Sequence, residues 1–309
     1  MSVGEFLARR LFAASLSSHC RSATSFSARV DDPDTADPAV RFRKALFEVS
    51  CYGDLFRCFP AWDVPGRLAG QTVLDFGCGY GGKTVEYATR CGAARVCGVE
   101  PFADVVESAA AFARHRGVEN VDFRVCGHLD IPYEDATFDS VLTMDVMEHV
   151  ENPSASLKEI QRVLKPGGRA FIAFPPYSGM MSHHLDYICN VPGVHWFFSP
   201  QTLVHAVNAT LQRDAAARAH AKPQPEPKLS WDGDRYVLPN LNGLTGTKFQ
   251  RLATELFEVE SLEWAVVGRN HTHGWKRWVH TALKPITFFG GRPRDAVTAS
   301  IAGVLRKRA

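Results

Sequence analysis

The sequence predicts an α/β protein with a doubly wound, mostly parallel seven-stranded sheet, an antiparallel last strand and an inserted lid. Two observations carry this prediction. Between residues 71 and 176, apolar runs of strand length alternate with segments of helical periodicity, as in right-handed βαβ units. After Pro175 and Pro176 the alternation stops, and it resumes only near residue 246, which indicates an insertion within one sheet.

The individual elements have local sequence signals of their own. In the segment 153–164, Leu157, Ile160 and Leu164 recur at helical spacing, and Pro153 suits a first helical turn. The predicted strands are 71–76, 95–100, 121–126, 139–145, 168–175, 257–267 and 297–305. The predicted helices of the sheet region are 82–91, 103–116, 153–164 and 246–256.

Five regions follow from this pattern. They are a flexible or targeting N-terminal segment (1–40), a helical cap (41–69), a ligand-binding core (70–176), an inserted lid (177–245) and a C-terminal completion of the sheet (246–309) with an irregular excursion at 269–296. The first 30 residues are rich in arginine and serine, and Glu5 is their only acid, which is typical of a mitochondrial transit peptide. A bacterial N-terminal helix or an overextended start are the alternatives.

Composition excludes several classes of protein. The net charge of +2 of this chain of 309 residues argues neither for nor against nucleic acid, but no Lys/Arg-rich run with interleaved aromatics is present, so no nucleic-acid partner is expected. No apolar stretch approaches the roughly 20 residues that span a bilayer. The 8 cysteines form no C-x-x-C pair, which fits a reducing compartment. A cytoplasmic location is therefore expected, or the mitochondrial matrix if residues 1–30 are a transit peptide.

A glycine-rich turn follows the first predicted strand, in the segment VLDFGCGYGG at 73–82. Gly77, Gly79 and Gly82 match the spacing G-x-G-x-x-G, which nicotinamide-dependent dehydrogenases share. Such a turn brings a ligand against bare backbone at a helix N-terminus. Asp75, two residues before the first glycine, would repel a pyrophosphate and suits a cationic ligand. This carboxylate disfavours a dehydrogenase.

The ends of the next strands carry further polar groups, and ligands of parallel sheets bind at the carboxyl ends of strands. Glu100 ends the second strand and can accept hydrogen bonds from both hydroxyls of a ribose, while Pro101 and Phe102 can lie along an adenine. The third strand leads into the segment 127–130, and the fourth leads into the segment 144–149. These ends define one candidate site.

Taken together, these segments resemble the class I S-adenosylmethionine-dependent methyltransferases, specifically the type 11 small-molecule group. The resemblance rests on VLDFGCGYGG, VEPF at 99–102, IPYEDATFDSVLTMDVMEHV at 131–150 and VLKPGGRAFIAFPP at 163–176. It implies a Rossmann-like fold and S-adenosyl-L-methionine as cofactor. The cofactor-binding residues that it implies, with the neighbours of Glu100, are Asp75, Gly77, Gly79, Glu100, Pro101, Phe102, His128, Leu129, Asp145 and Met147.

The resemblance also implies roles for these residues. Asp75 would contact the amino-acid part of the cofactor, which the two glycines admit, and Asp145 and Met147 would lie near its methionine end. Glu100 would hold the ribose. One departure concerns the adenine: many relatives have an acid directly after the glycine at 127, where this chain has His128, so Asp130 is an alternative partner for the adenine amine.

Methyl transfer needs an aligned nucleophile and sometimes a base. His149, which follows the fourth strand, and His184, in the lid, are the candidate catalytic residues, and His183 and His195 are further candidates. A structural role for His149 at a helix start stays open. No metal is expected, because the adjacent side chains of His183 and His184 cannot easily point at one ion.

The predicted function is methyl transfer to a small, hydrophobic or aromatic acceptor, most often on oxygen. The lid aromatics Tyr177, Trp196, Phe197 and Phe198 would line the acceptor pocket, or alternatively fill the core of the lid. The competing hypothesis is a regulatory or scaffold protein that binds the cofactor without turnover. Peripheral membrane contact through the aromatic and basic segment 271–284 is a further possibility, with a packed helix as its alternative.

Overall fold

The computed structural model describes residues 2–19, 37–58, 62–127, 129–180, 182–185, 191–213, 228–266 and 275–309. A seven-stranded sheet in the order β3-β2-β1-β4-β5-β9-β8 forms the centre of the fold. Its strands are β1 (Thr72–Phe76), β2 (Arg95–Glu100), β3 (Val121–Val125), β4 (Phe138–Met144), β5 (Leu164–Phe174), β8 (Glu258–Ala265) and β9 (Ser300–Arg306). Strands β6 (Ser230–Trp231) and β7 (Tyr236–Val237) form a separate two-stranded ribbon.

Helices cover both faces of the sheet. They are α1 (Val3–His19), α2 (Pro38–Cys58), α3 (Val64–Leu68), α4 (Gly82–Thr89), α5 (Ala103–His115), α6 (Pro153–Val163), α7 (Val194–Phe197), α8 (Pro200–Arg213), α9 (Gly246–Leu256), α10 (Trp275–Leu283) and α11 (Gly291–Val297). A 3₁₀ helix, Lys284–Phe289, joins the last two. None of the described helices is both long and apolar enough to cross a membrane.

The pairing of the strands confirms the predicted fold class. The neighbours β3, β2, β1, β4 and β5 are parallel, and β9 runs antiparallel to both β5 and β8. The chain therefore leaves β1 toward β2 on one side and reaches β4 on the other. Such a point, where the strand order reverses, opens a crevice at the carboxyl ends of the strands.

Two predicted strand starts differ from the structure by more than two residues. Strand β5 begins at Leu164 rather than at residue 168, because Leu164 already pairs with Phe138 of β4 before the glycine turn. Strand β9 begins at Ser300 rather than at 297, because α11 continues to Val297. The described part of the excursion predicted as irregular, residues 275–296, is helical.

The hydrophobic core has one layer on each face of the sheet. Along β1, Leu74 packs in the layer that includes α6 and α9, whereas Val73 packs in the layer that includes α3 and α4. The same alternation recurs in β5, where Ile172 and Phe171 face opposite layers. This period of two residues is the one that a strand buried on both faces requires.

The lid has a core of its own, and the N-terminal helix contributes to it. Helix α1 packs against α8, and its residues Ala8 and Phe12, one helical turn apart, are fully buried beside Leu203 and Leu238. Residues 3–19 are therefore helical, and Ala8 and Phe12 join the core of the lid, whereas a flexible or targeting segment was expected over residues 1–40. Residues 20–36 lie outside the described part of the chain.

Helix α2 covers the glycine loop. It packs on α4 and α5 through Ala45, which is buried in a cluster with Val85 and Phe112. Arg41 forms an ion pair with Asp104 at the start of α5. The helical cap predicted from residue 41 thus begins at Pro38 and lies directly above the loop.

Candidate active site

A cavity of about 730 Å³ opens at the carboxyl ends of β1, β2 and β4. It joins the glycine loop to the turn after β4, as expected for the crevice of such a sheet. Its lining includes helix α2, the glycine loop, the end of β2, the turn after β4 and the lid. The lining residues used below are Glu48, Gly77, Gly79, Lys83, Glu100, Pro101, Phe102, Asp145, Val146, His149 and Asn240.

The glycine loop presents its backbone to the cavity. The N–H groups of Gly77 and Cys78 donate to the carbonyl oxygen of Val99 at 2.9 and 3.0 Å, which fixes the loop against β2. Gly77 has φ 79°, and a Cβ atom there would clash with the side chain of Val146. Only glycine satisfies both the backbone conformation and the close approach.

Glu48 of α2 binds the glycine loop from above. Its carboxylate accepts hydrogen bonds from the N–H groups of Tyr80 at 2.9 Å and Gly82 at 2.8 Å. Burial raises the pKa of Glu48 to about 7, against the opposing effects of these N–H groups and of Lys83. Sequence analysis missed this residue, because no local motif signals where α2 docks.

Asp75 lies beneath the loop and does not line the cavity. Its side chain is buried, and Thr84 donates a hydrogen bond to it at 2.7 Å through the hydroxyl group. Burial raises the pKa of Asp75 to about 6. Thr84 of α4 thus holds this carboxylate beneath the loop, and its expected contact with the amino-acid part of the cofactor stays a prediction.

Three residues predicted to bind the cofactor line the cavity at the end of β2. Glu100 lines the cavity and accepts a hydrogen bond from Gly79 at 3.2 Å, and burial raises the pKa of its carboxyl group. Pro101 and Phe102 line the same part of the cavity. Leu129 is exposed outside the lining, and His128 lies outside the described residues.

Negative charge prevails in the cavity. Among the described lining residues, Glu48, Glu100 and Asp145 bring carboxyl groups, and Lys83 brings an ammonium group. Opposite charges attract strongly in a partly desolvated cleft. The arrangement therefore suits a ligand that carries positive charge.

The turn after β4 brings His149 to the cavity and Glu148 beside it. The Nδ1 atom of His149 lies 2.5 Å from the carbonyl oxygen of Asn240, so in the neutral ring Nδ1 carries the proton and Nε2 carries the lone pair. Nε2 lies 3.7 Å from Oε1 of the buried Glu148. The ring of His184 approaches to 5.2 Å from that of His149, centroid to centroid.

Left-handed backbone conformations cluster at this turn. Asp145, His184 and Asn240 have φ values of 59°, 51° and 57°, which non-glycine residues rarely adopt. Residues held in such conformations are concentrated at functional sites. The three residues come from the core, the early lid and the late lid, so all three regions meet here.

Met147 and the remaining histidines are placed elsewhere. Met147 is fully buried in the core between the sheet and α6 and does not line the cavity, contrary to expectation. The rings of His183 and His195 contact each other in the lid in a tilted arrangement, with centroids 5.7 Å apart, and burial lowers the pKa of each to about 4. Neither lines the cavity, so His149, which does, and His184, whose ring lies beside that of His149, remain the candidates for proton transfer.

The lid aromatics do not line the cavity either. Tyr177 and Phe198 pack against the core of the lid, and Phe197 is exposed. Trp196 donates its indole N–H to the carbonyl oxygen of Ser178. Tyr177 and Phe198 therefore pack within the lid, which is the alternative that the sequence left open.

The sheet order, the glycine loop after β1 and the carboxylate at the end of β2 agree with the resemblance to class I S-adenosylmethionine-dependent methyltransferases. Residues 74–172 match the family model described as "Methyltransferase domain". The chain therefore contains a methyltransferase domain, and that domain supports S-adenosylmethionine as its cofactor. The bare backbone and prevailing carboxylates of the cavity fit this cofactor, whose ammonium and sulfonium groups are cationic.

The similar proteins of known name match over the same domain. A norajmaline N-methyltransferase of Rauvolfia serpentina is 38% identical over 107 residues, which is 34% of this chain and 36% of that protein. A ubiquinone biosynthesis O-methyltransferase of Xanthomonas euvesicatoria pv. vesicatoria is 38% identical over 108 residues, covering 35% of this chain and 44% of that protein. The chain therefore spans less than half the length of these curated relatives.

Solved structures extend the likeness beyond this domain, for the fold alone. A geranyl diphosphate methyltransferase in complex with SAM aligns with 91% of this chain and 95% of its own, at 18% identity and a TM-score of 0.51. A putative sarcosine dimethylglycine methyltransferase from Galdieria sulphuraria aligns with 84% and 86%, at 14% identity and a TM-score of 0.51. At these identities only the architecture is shared.

Proposed function

We propose that this chain transfers the methyl group of S-adenosylmethionine to a small, hydrophobic or aromatic acceptor, on oxygen. One observation carries the proposal: a single cavity connects the glycine loop with His149. A methyl donor held at the loop would therefore have a proton-accepting group within the same enclosed space. The two named relatives methylate small molecules according to their names, one on oxygen and one on nitrogen.

The cofactor would be held along the carboxyl ends of the strands. In this proposal the backbone at Gly77 and Gly79 admits its amino-acid part, and Glu100 accepts hydrogen bonds from its ribose. The residues proposed around the adenine are Pro101, Phe102, His128 and Leu129. Asp145 would lie near the sulfonium end, while Asp75 and Met147 support the site from beneath through Thr84 and the core.

The residues around the acceptor would align it and move one proton. When bound, the cofactor supplies an electrophilic methyl group on a sulfonium. As the O–C bond formed and the C–S bond broke, the electron pair would stay on sulfur and the acceptor proton would pass to a base. His149 is the proposed base, because Asn240 holds its Nδ1 proton and leaves Nε2 basic. His184, whose ring lies beside it, is the second candidate.

Calorimetric titration with S-adenosylmethionine tests the cofactor site. Glu100→Ala and Asp145→Ala should each weaken binding by about tenfold or more, since each removes a charged partner of the ligand. Glu119→Ala is the matched control, because Glu119 is an exposed acid at the amino end of β3, whereas the cavity lies at the carboxyl ends of the strands. If the intact protein does not bind the cofactor, or if all three variants bind like the wild type, the proposal fails.

A second experiment separates an enzyme from a cofactor-binding protein without turnover. The protein is incubated with methyl-labelled cofactor and a host extract, and labelled products are sought by mass spectrometry. A labelled small molecule that depends on His149 supports the enzyme. Cofactor binding without any labelled product, across extract and a broad acceptor panel, would favour a regulatory protein.

We also propose that the C-terminal helices contact an anionic membrane surface. Trp278, Phe288 and Phe289 are 78%, 84% and 81% exposed, which is unusual for large aromatic side chains. Residues 275–294 contain five cations and no Asp or Glu. Exposed aromatics within a cationic segment are typical of elements that lie in the interface of anionic bilayers.

A further inference from the structure

One carboxylate and two imidazoles converge beside the cavity, and we propose that they bind a divalent transition-metal cation. Glu148, His149 and His184 each offer one ligand atom, and these atoms all lie within 4.8 Å of one another. With metal–ligand distances of about 2.1 Å, ligand atoms around one ion are about 3 to 4 Å apart. The pair Glu148 Oε1 and His149 Nε2, at 3.7 Å, already meets that spacing.

The tautomer of His149 supports this assignment. Its Nδ1–H is directed at the carbonyl oxygen of Asn240, so Nε2 presents a lone pair toward Glu148. Histidines that bind metals characteristically donate their other ring N–H to a backbone carbonyl or carboxylate, which orients the ring and raises its basicity. The Asn240 contact is of that kind.

The positions of the three groups suit a cation between them. Oε1 of Glu148 and Nε2 of His149 lie 3.7 Å apart, and a carboxylate oxygen and an imidazole nitrogen can each coordinate a metal ion. The ring of His184 adds a third nitrogen-bearing group to the same space. A cation bound by all three would be held by one carboxylate and two imidazoles.

The three ligands come from two parts of the chain. Glu148 and His149 belong to the turn after β4, whereas His184 belongs to the lid. The adjacent His183 is buried in the lid core, so the two neighbouring histidines point in different directions, and only His184 reaches the site. The ion would therefore link the lid to the core at the acceptor end of the cavity.

The donor set indicates the class of metal. Two imidazoles and one carboxylate suit Zn²⁺, Fe²⁺ or Mn²⁺, and three protein ligands leave coordination positions open. In the proposed reaction, on which this role rests, an acceptor hydroxyl bound there would lose its proton to water more readily and attack as a metal-bound oxyanion. His149 would then hold the ion instead of taking the proton.

Metal stoichiometry tests the site independently of activity. Tag-free protein is stripped with a chelator and dialysed against Zn²⁺ or Mn²⁺, and bound metal is measured by mass spectrometry. We expect about one ion per chain, and about tenfold weaker binding in His184→Ala and Glu148→Gln, because each loses a ligand. His205→Ala, which removes an exposed histidine of α8, is the control and should bind like the wild type.

Substitution by Co²⁺ provides a second readout, since its visible absorption reports the ligand set. Circular dichroism establishes that the buried Glu148→Gln variant is folded, and His184→Ala, at a half-buried position, gives a second test. Absence of stoichiometric metal, or equal metal affinity in all variants, would overturn the proposal. Titration of the same samples with S-adenosylmethionine keeps the two proposals distinguishable, because failure to bind cofactor leaves the metal count intact.

Discussion

Gly77 illustrates how one residue satisfies two separate demands. Its φ of 79° belongs to the left-handed region, and a Cβ atom at this position would strike Val146 of the turn after β4. The first demand could have been inferred from the motif, since glycine-rich turns need such conformations. The second depends on a residue that is 69 positions away along the chain, and only the fold brings the two together.

The substitution Gly77→Ala should therefore cost more than the same change elsewhere. Gly92→Ala is the matched control, because Gly92 has a similar φ of 64° but open space around it. We expect about 1 kcal/mol of destabilisation for Gly92→Ala and about 2–4 kcal/mol for Gly77→Ala, where a clash adds to the backbone cost. Urea unfolding measures both, and equal costs would contradict the predicted clash.

Glu48 links pH to stability. Its pKa in the folded protein, about 7, lies above the ordinary value of 4.5, so the folded state holds the proton more tightly than the unfolded state does. The contribution of Glu48 to the free energy of unfolding must then fall as the pH rises from about 4.5 to about 7. Lys83 opposes this effect, and Asp75 reinforces it.

The variant Glu48→Gln should flatten this dependence. Free energies of unfolding measured near pH 5 and near pH 7.5 should differ less in the variant than in the wild type, because the amide does not ionise. Part of the slope should remain, since the pKa of Asp75 is also raised, to about 6, and its ionisation lowers the free energy of unfolding in the same direction. An unchanged slope would contradict the assignment of this titration to Glu48.

At the scale of elements, Asn242 holds the turn after β4 against the end of the lid. Its buried amide donates to the carbonyl oxygens of Met147 and Val150, both at 2.7 Å, and accepts from the N–H of Leu244 at 2.9 Å. The backbone N–H of Asn242 also donates to the backbone carbonyl oxygen of Glu148 at 2.9 Å. These bonds position the turn that carries Glu148 and His149, although Asn242 itself lines no part of the cavity.

The substitution Asn242→Ala should destabilise the protein by about 2–4 kcal/mol, because it leaves buried carbonyl groups without a donor. Asn120→Ala is the control, since Asn120 is exposed and also donates through Nδ2 to two carbonyls, those of Ala93 and Ala94. Its cost should stay near 1 kcal/mol or below. Thermal and urea unfolding of the two variants provide the comparison, and similar costs would contradict the stabilising role assigned to the hydrogen bonds of Asn242.

At the scale of the whole molecule, the exposed aromatics of the C-terminal helices predict membrane association. The double variant Phe288→Ser and Phe289→Ser should lower binding to vesicles rich in phosphatidylserine by about tenfold, since two buried aromatic contacts would be lost. Trp231→Ser, at another exposed aromatic, is the control. Co-sedimentation measures vesicle binding by both variants. Equal binding by the double variant and the wild type would refute the proposed membrane contact.

Most of the sheet was predictable because its signals are local. The apolar runs, the glycine turn and the helix with Pro153 each lie within a few residues, and strand and helix periodicities distinguish them. The acidic end of β2 was predictable for the same reason. Helix α1 was not, because its buried face, Ala8 and Phe12, has meaning only against α8, nearly two hundred residues later.

The sequence by itself predicted the methyltransferase domain, its cofactor and the end of the strands where the site lies, since these predictions follow from ordered local motifs. The tertiary structure alone decided which side chains meet there. Glu48 over the loop, Asp75 beneath it, and the convergence of Glu148, His149 and His184 result from packing between distant segments. Side-chain contacts between such segments depend on how the elements dock, and no local pattern encodes that.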